Sequence, residues 1–555
     1  MDYVSTLCLT VLATFLRFFR LSEPHSLVFD ETYYVKDAYA MLKTGVDHDW
    51  IPSGSSVADI DELFVNGVQD FLDTGSFVVH PPLGKWLIAL GIDLGGGIDS
   101  SFAWRFSTAV FSVLAVFVMI RVANRIFGVY FGILAGLFFA TDGVNAVLGR
   151  TALLDTFAMF FVLLAFYLLV VDWQTTYTAD DFHELKHSET NKVIAFFTKF
   201  RIFRLLAIFS FALSMSIKWT GICFAFFFMA VSLIIDYLES RGYKTLQILR
   251  PKTRVISGAE TGADFSSDSE TEELEVINVQ EYEIDEDAID VEKVAENKWV
   301  CFRKWLSKFV IPNVLISILI TGITYVIAWI GWLTTSAGYD RNWAETHPGE
   351  GFSFLPDALN SLIHYHEEIF GYHANLDATH PYQSPAPMWL FNIRPTLFYF
   401  KQIPFGEDGC NIQEGCVRTI NCLGNPILWW LSLASLIAII ALLIHDVVTR
   451  KFVIAKDVRV YMLLAGIIAG WGVWFFFSKP VYHYYTLAFL PYFILCLIFM
   501  LQLLCKHVKF KVARVFVVSV TLLVLLSAYY FMPIWLGTDI SYDDWLAKMW
   551  FESWI

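Results

Sequence analysis

The sequence is poor in charged residues, which make up 17 % of its 555 positions, whereas apolar types make up 56 %. An average soluble domain carries about 25 % charged residues. Aromatic residues add to the imbalance, at 17 % of the chain. This shortage of charge excludes an ordinary soluble globular protein and indicates an integral membrane protein.

Two further features are missing. The glycines at 91–97 lack the preceding strand and the following Lys-Ser or Lys-Thr of a nucleotide-binding loop, so no soluble nucleotide-sugar site is indicated. We also expect no nucleic-acid partner. The first apolar run begins at residue 3 and lacks the basic segment and the small-residue cleavage site of a secretory signal. We therefore expect it to be a retained helix.

What the chain does contain is a series of long apolar runs. Their length matches the roughly 17 to 25 residues that a helix needs to cross a bilayer. Because backbone groups in lipid must be hydrogen-bonded internally, each run is expected to be helical. The predicted fold class is an all-α polytopic membrane protein with about eleven transmembrane helices, at 3–20, 101–120, 128–147, 152–172, 203–218, 220–238, 306–334, 426–445, 460–477, 484–504 and 513–532.

Basic residues concentrate in the short loops of one side, which is typical of the cytoplasmic side. This pattern predicts a cytoplasmic N-terminus and an external C-terminus. Residues 1–238 would form an N-terminal catalytic module with an external loop at 21–100 that carries interfacial helices. The remaining predicted regions are a cytoplasmic loop at 239–305, helix 7 at 306–336, an external loop at 337–424, helices 8 to 11 at 425–533 and an external interfacial tail at 534–555.

The net charge of -15 comes almost entirely from one segment. Residues 258–297 contain fifteen Asp or Glu residues and one Lys. A segment rich in Asp, Glu and Ser and low in aromatic residues is typical of a disordered linker. The sequence names no partner for it.

Three of the eight cysteines, Cys410, Cys416 and Cys422, lie in the second external loop, where disulfides are permitted. Cys410 with Cys416 is the preferred pair, and three unpaired cysteines are the alternative. In the same loop His364 and Glu368 stand four residues apart on one helical face, as two metal ligands would. No third ligand is near in sequence, so we expect no metal and no cofactor.

Charged residues at the ends of apolar spans are costly and usually mark function. In the predicted topology they lie at the outer ends of the helices, around the Asp-Glu pair of the first external loop, Asp30 and Glu31. The set comprises Arg17, Arg20, His80, Lys85, Arg105, Arg150, Asp155, Lys218, Lys479 and His483. These residues predict a cationic pocket with a few carboxylates at the border of the lipid.

Such a pocket suits the transfer of a sugar from a lipid phosphate, because cations can bind the phosphate and take up its growing charge. A serine or threonine hydroxyl needs a positioned base, which one carboxylate can supply. Neighbouring residues point in different directions, so we expect one of Asp30 and Glu31 to face the substrate and the other to be held by a cation. A structural ion pair between Arg150 and Asp155 is an alternative of equal weight to a catalytic role for these residues. For Lys218 the two alternatives are binding of the phosphate and extension of its side chain to the membrane interface.

Seven segments carry a likeness to a known family. They are RFFRLSEPHSLVFDETYYVKDAY at 17–39, VVHPPLGKWLIALG at 78–91, WRFSTAVFS at 104–112, GRTALLDTFAMFF at 149–161, SMSIKWTG at 214–221, HPYQSPAPMWLFNIRP at 380–395 and KPVYHYYTLAFLP at 479–491. With these segments the sequence resembles the protein O-mannosyltransferases, membrane glycosyltransferases of the GT-C type, and most closely their actinobacterial branch.

The resemblance implies inverting transfer of mannose from polyprenyl phosphate mannose to Ser or Thr hydroxyls of secreted proteins. It implies that Asp30 is the general base and that Glu31 supports the site. The phosphate-binding arginine of the family matches Arg105, and family positions beside the site match Arg17, His80 and Lys85. With Arg150 and Lys218 these residues form the predicted donor-binding set, and Asp155 is expected to support it.

Eukaryotic members read Asp-Glu-Val-His at the catalytic motif and carry a trefoil domain in an external loop. Here Thr32 and Tyr33 follow the pair, and 337–424 is too short for that domain. Both departures fit the bacterial branch, so we expect a bacterial plasma-membrane protein with an extracytoplasmic site. Expected partners are the bilayer, polyprenyl phosphate mannose and unfolded or secreted proteins, with the secretion translocon as a candidate.

Two alternatives stay open at this point. A GT-C enzyme of the same architecture would move another sugar or use a glycolipid acceptor. A transporter of anionic lipids is the alternative from another class, but transporters place their charges near the midplane and often show internal repeats. Here the charges gather at one face and no repeat is apparent.

Overall fold

The computed structural model describes residues 2–50, 57–175, 201–240, 298–477 and 479–555. The acidic segment at 258–297 lies outside these residues. The first half of the described chain contains α1 (Asp2–Phe18), α2 (Glu31–Thr44), β1 (His48–Trp50), α3 (Val57–Val65), β2 (Phe71–Gly75), α4 (Leu83–Leu94), α5 (Ser101–Phe127), α6 (Val129–Ala140), α7 (Gly143–Leu148), α8 (Leu154–Thr175), α9 (Ile202–Met215) and α10 (Thr220–Ser240).

The second half begins with α11 (Lys298–Trp305), a π-helical turn (Leu306–Val310), α12 (Ile311–Ala328), α13 (Ile330–Thr334), α14 (Trp343–Thr346), α15 (Asp357–Asn375) and α16 (Ala386–Trp389). It continues with β3 (Thr396–Ile403), β4 (Cys416–Cys422), α17 (Pro426–Thr449), α18 (Val458–Gly470), two 3-10 helices (Gly472–Phe476 and His483–Ala488), α19 (Leu490–His507), α20 (Phe510–Leu536), α21 (Tyr542–Lys548) and a last 3-10 turn (Glu552–Trp554).

The chain is mostly helical, as the apolar runs predict. Among the described residues seven helices are long and apolar enough to cross a membrane: α5, α8, α10, α12, α17, α19 and α20. Four shorter apolar helices, α1, α6, α9 and α18, coincide with the other four predicted runs. The chain is therefore a multi-span membrane protein, and the count of eleven crossings stays a prediction.

The expected continuous helix at 128–147 is wrong, because the chain breaks between α6 and α7. Asp142 causes the break: it begins α7, and its Oδ1 accepts hydrogen bonds from the backbone N–H groups of Val144 and Asn145. Its Oδ2 accepts hydrogen bonds from the N–H of Asn425 at 3.0 Å and from the indole of Trp429 at 2.8 Å. This buried carboxylate ties the first half of the chain to the start of α17.

The mostly helical fold also contains two small antiparallel sheets, one in each long loop. Strand β1 pairs with β2 in the first loop, and β3 pairs with β4 in the second, in a register that runs from Thr396 opposite Cys422 to Ile403 opposite Cys416. The β3 sequence TLFYFKQI is rich in the aromatic and β-branched residues that favour strands. The turn of the second hairpin is closed by a disulfide between Cys410 and Cys416, whose Cα atoms are 5.8 Å apart.

The helices divide into a buried group and an exposed group. Helices α5, α8 and α19 are buried along most of their length, and α8 packs against both α5 and α9. Helix α12 is apolar yet exposed around most of its circumference, which is typical of a helix that faces lipid. Two of the buried helices, α5 and α8, carry the predicted site residues Arg105 and Asp155 near their starts.

Candidate functional site

Asp30 is brought next to a segment more than 450 residues further along the chain. It is the residue immediately before α2, and its Oδ2 accepts a hydrogen bond of 3.1 Å from the hydroxyl of Tyr484. Tyr484 lies in the 3-10 helix that precedes α19. The other carboxylate oxygen, Oδ1, has no hydrogen-bond partner among the described residues, so it is available to a substrate.

The surroundings of Asp30 raise its pKa to about 6 from an ordinary value of 3.8. Burial is the main cause, and the negative charge of Asp155 adds to it. Lys218 and the hydroxyl of Tyr484 oppose the shift. A carboxylate with this pKa is mostly ionised at pH 7 and accepts a proton more readily than an ordinary aspartate does.

Lys218 supplies a positive charge beside Asp30. Its Nζ donates a hydrogen bond of 2.7 Å to Oδ2 of Asp155, the second residue of α8. The ammonium lies over the rings of Tyr485 and Tyr484, 5.4 Å and 6.0 Å from their centres. The predicted ion pair of Arg150 with Asp155 is therefore wrong, because Asp155 pairs with Lys218. Since an ammonium has three donors, Lys218 keeps two for another ligand.

A second cation, Lys479, lies on the same side of the site. Its Nζ is 3.3 Å from Nδ1 of His373 and 5.7 Å from the centre of the Trp474 ring. Burial and the charge of Lys218 lower its pKa to about 8. Among the described residues it has no carboxylate partner, which distinguishes it from Lys218.

His80 lies between these groups but is not a cation. Its ring centre is 5.9 Å from that of His373 and 6.2 Å from that of Tyr34. Burial, followed by the charge of Lys218, holds its pKa well below the ordinary value of 6.5. A neutral imidazole can donate one hydrogen bond to a donor phosphate but adds no charge.

Glu31 and Arg105 form a fully buried pair. The guanidinium donates from Nε to Oε1 at 2.9 Å and from one terminal nitrogen to Oε2 at 2.8 Å. Glu31 also accepts hydrogen bonds from the backbone N–H groups of Val28 and Ala152. The expectation that one member of the Asp-Glu pair is held by a cation agrees with this arrangement.

The phosphate role expected of Arg105 has no support in this geometry. Its remaining N–H groups donate to the backbone carbonyls of Leu21, Pro24 and Ser26. All five donors of the guanidinium are thereby used, so none is left for a phosphate. Arg105 fixes the 21–31 loop, which places Asp30.

Three other predicted cations are likewise occupied by the protein. Arg17 is fully buried and donates to Ser112 and to the carbonyl of Ala140. Arg150 donates to the carbonyls of residues 16, 17, 19 and 20, the orphan acceptors at the end of α1. Lys85 pairs with Asp47 and lies 3.6 Å from Asp37. Of the predicted donor-binding cations, only Lys218 borders Asp30 with donors to spare.

Sequence reasoning placed Lys479 among the charges of the pocket without a role of its own, and it singled out neither Tyr484 nor His373. The first two stand in the segment KPVYHYYTLAFLP, which the likeness already marked, and Lys479 belongs to the predicted set of outer charges. The bond of Tyr484 to Asp30, and the closeness of Lys479 to Lys218 and His373, depend on tertiary contacts that no local spacing reveals. Among the described residues one set of side chains has the spacing of metal ligands, Asp340 with His364 and Glu368, and it does not include Asp30.

Comparison with known proteins agrees with these features. The family described as "Dolichyl-phosphate-mannose-protein mannosyltransferase" matches residues 79–181, and the family described as "C-terminal four TMM region of protein-O-mannosyltransferase" matches residues 358–554. Together the two regions make up just over half of the chain. Asp30 and Glu31 lie outside both.

Curated relatives span nearly the whole chain. A polyprenol-phosphate-mannose--protein mannosyltransferase of Mycobacterium tuberculosis is 26 % identical over 570 residues, which cover 100 % of this chain and 92 % of that protein. The protein of the same name from Corynebacterium glutamicum is 24 % identical over 550 residues, which cover 95 % of this chain and 88 % of the relative.

Among solved structures, the Saccharomyces cerevisiae protein O-mannosyltransferase Pmt1-Pmt2 complex bound to the sugar donor matches with a TM-score of 0.64. The match covers 100 % of this chain and 92 % of that chain at 14 % identity, a level that speaks for the fold alone. The expected GT-C fold is thereby confirmed. The chain belongs to the protein O-mannosyltransferase family of membrane glycosyltransferases.

Proposed function

We propose that the chain transfers mannose from polyprenyl phosphate mannose to serine and threonine hydroxyls of secreted proteins. The names of the curated relatives supply the donor and the class of acceptor. The single observation that carries the proposal is the carboxylate of Asp30, held at 3.1 Å by Tyr484 next to the ammonium of Lys218. A base beside a cation is the minimal set for moving a sugar from a phosphate to a hydroxyl.

Asp30 acts as the general base in this proposal. Its Oδ1 faces the acceptor hydroxyl and takes the proton as the hydroxyl oxygen forms a bond to C1 of mannose. The bond between C1 and the phosphate oxygen breaks at the same time, and its electron pair leaves with polyprenyl phosphate. A direct displacement of this kind inverts the configuration at C1, so a β-linked donor yields an α-linked mannose.

Lys218 and Lys479 receive the donor phosphate. Each ammonium uses one donor within the protein, on Asp155 and on His373 respectively, so each keeps two for phosphate oxygens. Charge-assisted hydrogen bonds of this type strengthen as the leaving phosphate gains charge. No protonation of the leaving group is needed, and the step balances without a cofactor.

We further propose that the site lies on the extracytoplasmic face of a bacterial plasma membrane. The disulfide between Cys410 and Cys416 supports this side, because disulfides persist in oxidising compartments. The basic loops of the sequence then face the cytoplasm, with the N-terminus. Acceptors would reach the site as unfolded secreted chains, and the secretion translocon is the candidate that delivers them.

The proposal is tested with purified protein, polyprenyl phosphate mannose and a Ser/Thr/Pro-rich peptide, whose mass is followed over time. The wild type should add hexose to the peptide. Asp30→Asn should lower the rate by about 10²- to 10⁴-fold, the usual contribution of a general base. Asp73→Asn is the matched control, since Asp73 is an exposed aspartate of the same external loop.

Three results would reject the proposal or part of it. A normal rate in Asp30→Asn would remove Asp30 as the base. Transfer of the label to a glycolipid acceptor, with none to the peptide, would favour the related glycosyltransferase activity instead. Uptake of the donor without a covalent product would indicate a transporter.

A further inference from the structure

We infer that the second external loop holds a zinc site formed by Asp340, His364 and Glu368. Oδ2 of Asp340 lies 3.7 Å from Nε2 of His364, which lies 4.0 Å from Oε1 of Glu368. All three ligand atoms fall within 4.8 Å of one another. Two carboxylates and one imidazole are ligands that Zn²⁺ accepts, and a water molecule would complete a tetrahedral set.

The three side chains come from two separate elements. His364 and Glu368 are one turn apart on the same face of α15. Asp340 belongs to the turn before α14, 24 positions earlier in the chain, and its backbone φ is +47°, in the left-handed region that non-glycine residues rarely adopt. The fold thus supplies the third ligand that the spacing of His364 and Glu368 alone does not reveal.

The surroundings favour a bound cation over a simple surface ion pair. The indole of Trp343 stacks on the imidazole of His364, with ring centres 4.1 Å apart and planes 7° from parallel, which fixes the ring. Oε2 of Glu368 is buried and receives no hydrogen bond of good geometry in the described part of the chain, and the hydroxyl of Tyr339 is the neighbouring group that interacts with this carboxylate. A buried carboxylate oxygen without a partner is costly, and a metal ion would remove that cost.

The distances and charges are compatible with zinc. Ligand atoms around tetrahedral Zn²⁺ lie about 3.4 Å apart, because each bond is about 2.0–2.2 Å long. The separations in the protein, 3.7 Å, 4.0 Å and no more than 4.8 Å, exceed this value by about 0.3 Å, about 0.6 Å and at most about 1.4 Å, so binding would draw the carboxylates inward. A cavity of about 460 Å³, lined by Asp340 and His364, borders the site and gives solvent access. Arg341 also lines it, but its guanidinium lies over Trp332 and donates to the carbonyl of Leu333.

A metal here would act on structure and would not enter the transfer step. Helix α15 also carries Tyr365, whose hydroxyl bonds the backbone of Val78, and His373, which bonds Lys479. Holding the 338–343 turn against α15 would stiffen the helix that contacts both the 77–80 segment and the second lysine of the site. This inference stands apart from the proposed function, since it rests on different residues.

The test uses full-length, tag-free protein that is stripped with a chelator and titrated with ZnCl2. Bound zinc is measured by elemental analysis, and thermal unfolding is followed in parallel. The wild type should hold one zinc per chain and unfold at a higher temperature with zinc than without it, because a ligand of the native state stabilises it. Asp340→Asn, His364→Ala and Glu368→Gln should each bind zinc about 100-fold more weakly or worse.

His347→Ala is the matched control, because His347 is an exposed histidine that lines the same cavity and stacks on Trp343 but is outside the ligand set. It should keep both the zinc and the thermal shift. The inference is overturned if the wild type holds no more zinc than His364→Ala, or if His347→Ala loses zinc to the same extent. Each variant is also unfolded without zinc. If it unfolds at the same temperature as the zinc-free wild type, its loss of zinc binding is not due to misfolding. Mannosylation of the peptide is measured separately with zinc-free protein, so that a failure of zinc binding can be distinguished from a failure of mannose transfer.

Discussion

The hydroxyl of Tyr484 donates a hydrogen bond of 3.1 Å to Oδ2 of Asp30, across 454 positions of sequence. This bond joins the loop after α1 to the segment before α19, so the two halves of the chain meet at Asp30. It also favours the ionised form of the carboxylate, against the desolvation that raises its pKa. The hydrogen bond therefore sets the pH range in which Asp30 can accept a proton.

Replacing Tyr484 by Phe should raise the pKa of Asp30 above its present value of about 6, because a hydrogen bond to the charged form is lost. The acid limb of kcat/KM, which reports the free enzyme, should move to higher pH by a fraction of a unit to one unit. The rate at pH 7 should fall by at most about twofold, because half of the carboxylate stays ionised even at a pKa of 7, and most of the loss should be recovered at pH 8. Tyr482→Phe is the control, since Tyr482 stacks on Tyr484 but does not bond Asp30. An unshifted acid limb in Tyr484→Phe would contradict the role of this bond.

The Asp30→Asn variant should be at least as stable as the wild type at neutral pH. The pKa of Asp30 is higher in the folded state than in the unfolded state, so the folded protein keeps this proton to a higher pH. The wild type therefore loses stability as the pH rises from about 4 to about 6. A shift of this size corresponds to at most about 3 kcal/mol. The advantage of the variant, measured by thermal unfolding, should grow from pH 4 to pH 7.

The control for this comparison is again Asp73→Asn, whose exposed side chain should leave the pH dependence of unfolding unchanged. A variant of Asp30 that is less stable than the wild type at pH 7, by the same margin at every pH, would show that the carboxylate is needed for folding. Its loss of activity would then say nothing about a base.

Removing either member of the Glu31 and Arg105 pair should destabilise the fold by about 3–5 kcal/mol, because the partner stays charged and buried. Glu31→Gln and Arg105→Ala test this by thermal or denaturant unfolding. In the double variant Glu31→Gln, Arg105→Met the loss should be smaller than the sum of the two single losses. If Arg105→Ala instead unfolds normally and selectively weakens donor binding, the phosphate role implied by the resemblance holds and the structural role is wrong.

Much of the fold and part of the site could be predicted from the sequence. Apolar length alone located the helices, and charge at their outer ends pointed to Asp30 and Lys218. The position of a charged residue in the sequence does not reveal which group its side chain will bond in the fold. Arg17 and Arg150 look like phosphate ligands in the sequence, yet their donors are taken by backbone carbonyls at the ends of α6 and α1. Such carbonyls are orphaned wherever a helix ends, and no residue type marks which side chain will reach them.

The two small sheets and the break at Asp142 are structural elements that were not predicted from the sequence. Strands β1 and β2 have only three and five residues, so their alternation is too brief to distinguish from a loop. Strand β3 has eight residues of types that favour strands, so this one could have been predicted from the sequence. Asp142 stands inside an apolar run that is long enough for one helix, and only its bonds to Asn425 and Trp429 explain why it is buried there. Partners nearly 300 residues away are not encoded in local spacing.

Lys479 provides the last test, because its pKa of about 8 lies close to neutrality. As the pH rises through this value the free protein loses the positive charge, so kcat/KM for the donor should decline between pH 7 and pH 9. Lys479→Arg keeps the charge throughout this range and should abolish the decline. Lys479→Met should lower donor affinity by about tenfold or more at pH 7, and its difference from the wild type should narrow towards pH 9, where the wild-type lysine is mostly neutral. Lys401→Met is the control, since Lys401 is an exposed lysine of β3 that pairs with Asp408. Donor affinity is measured with lipid-linked mannose in nanodiscs. If kcat/KM still declines between pH 7 and pH 9 in Lys479→Arg, another group causes the decline, and Lys218 is the first to examine.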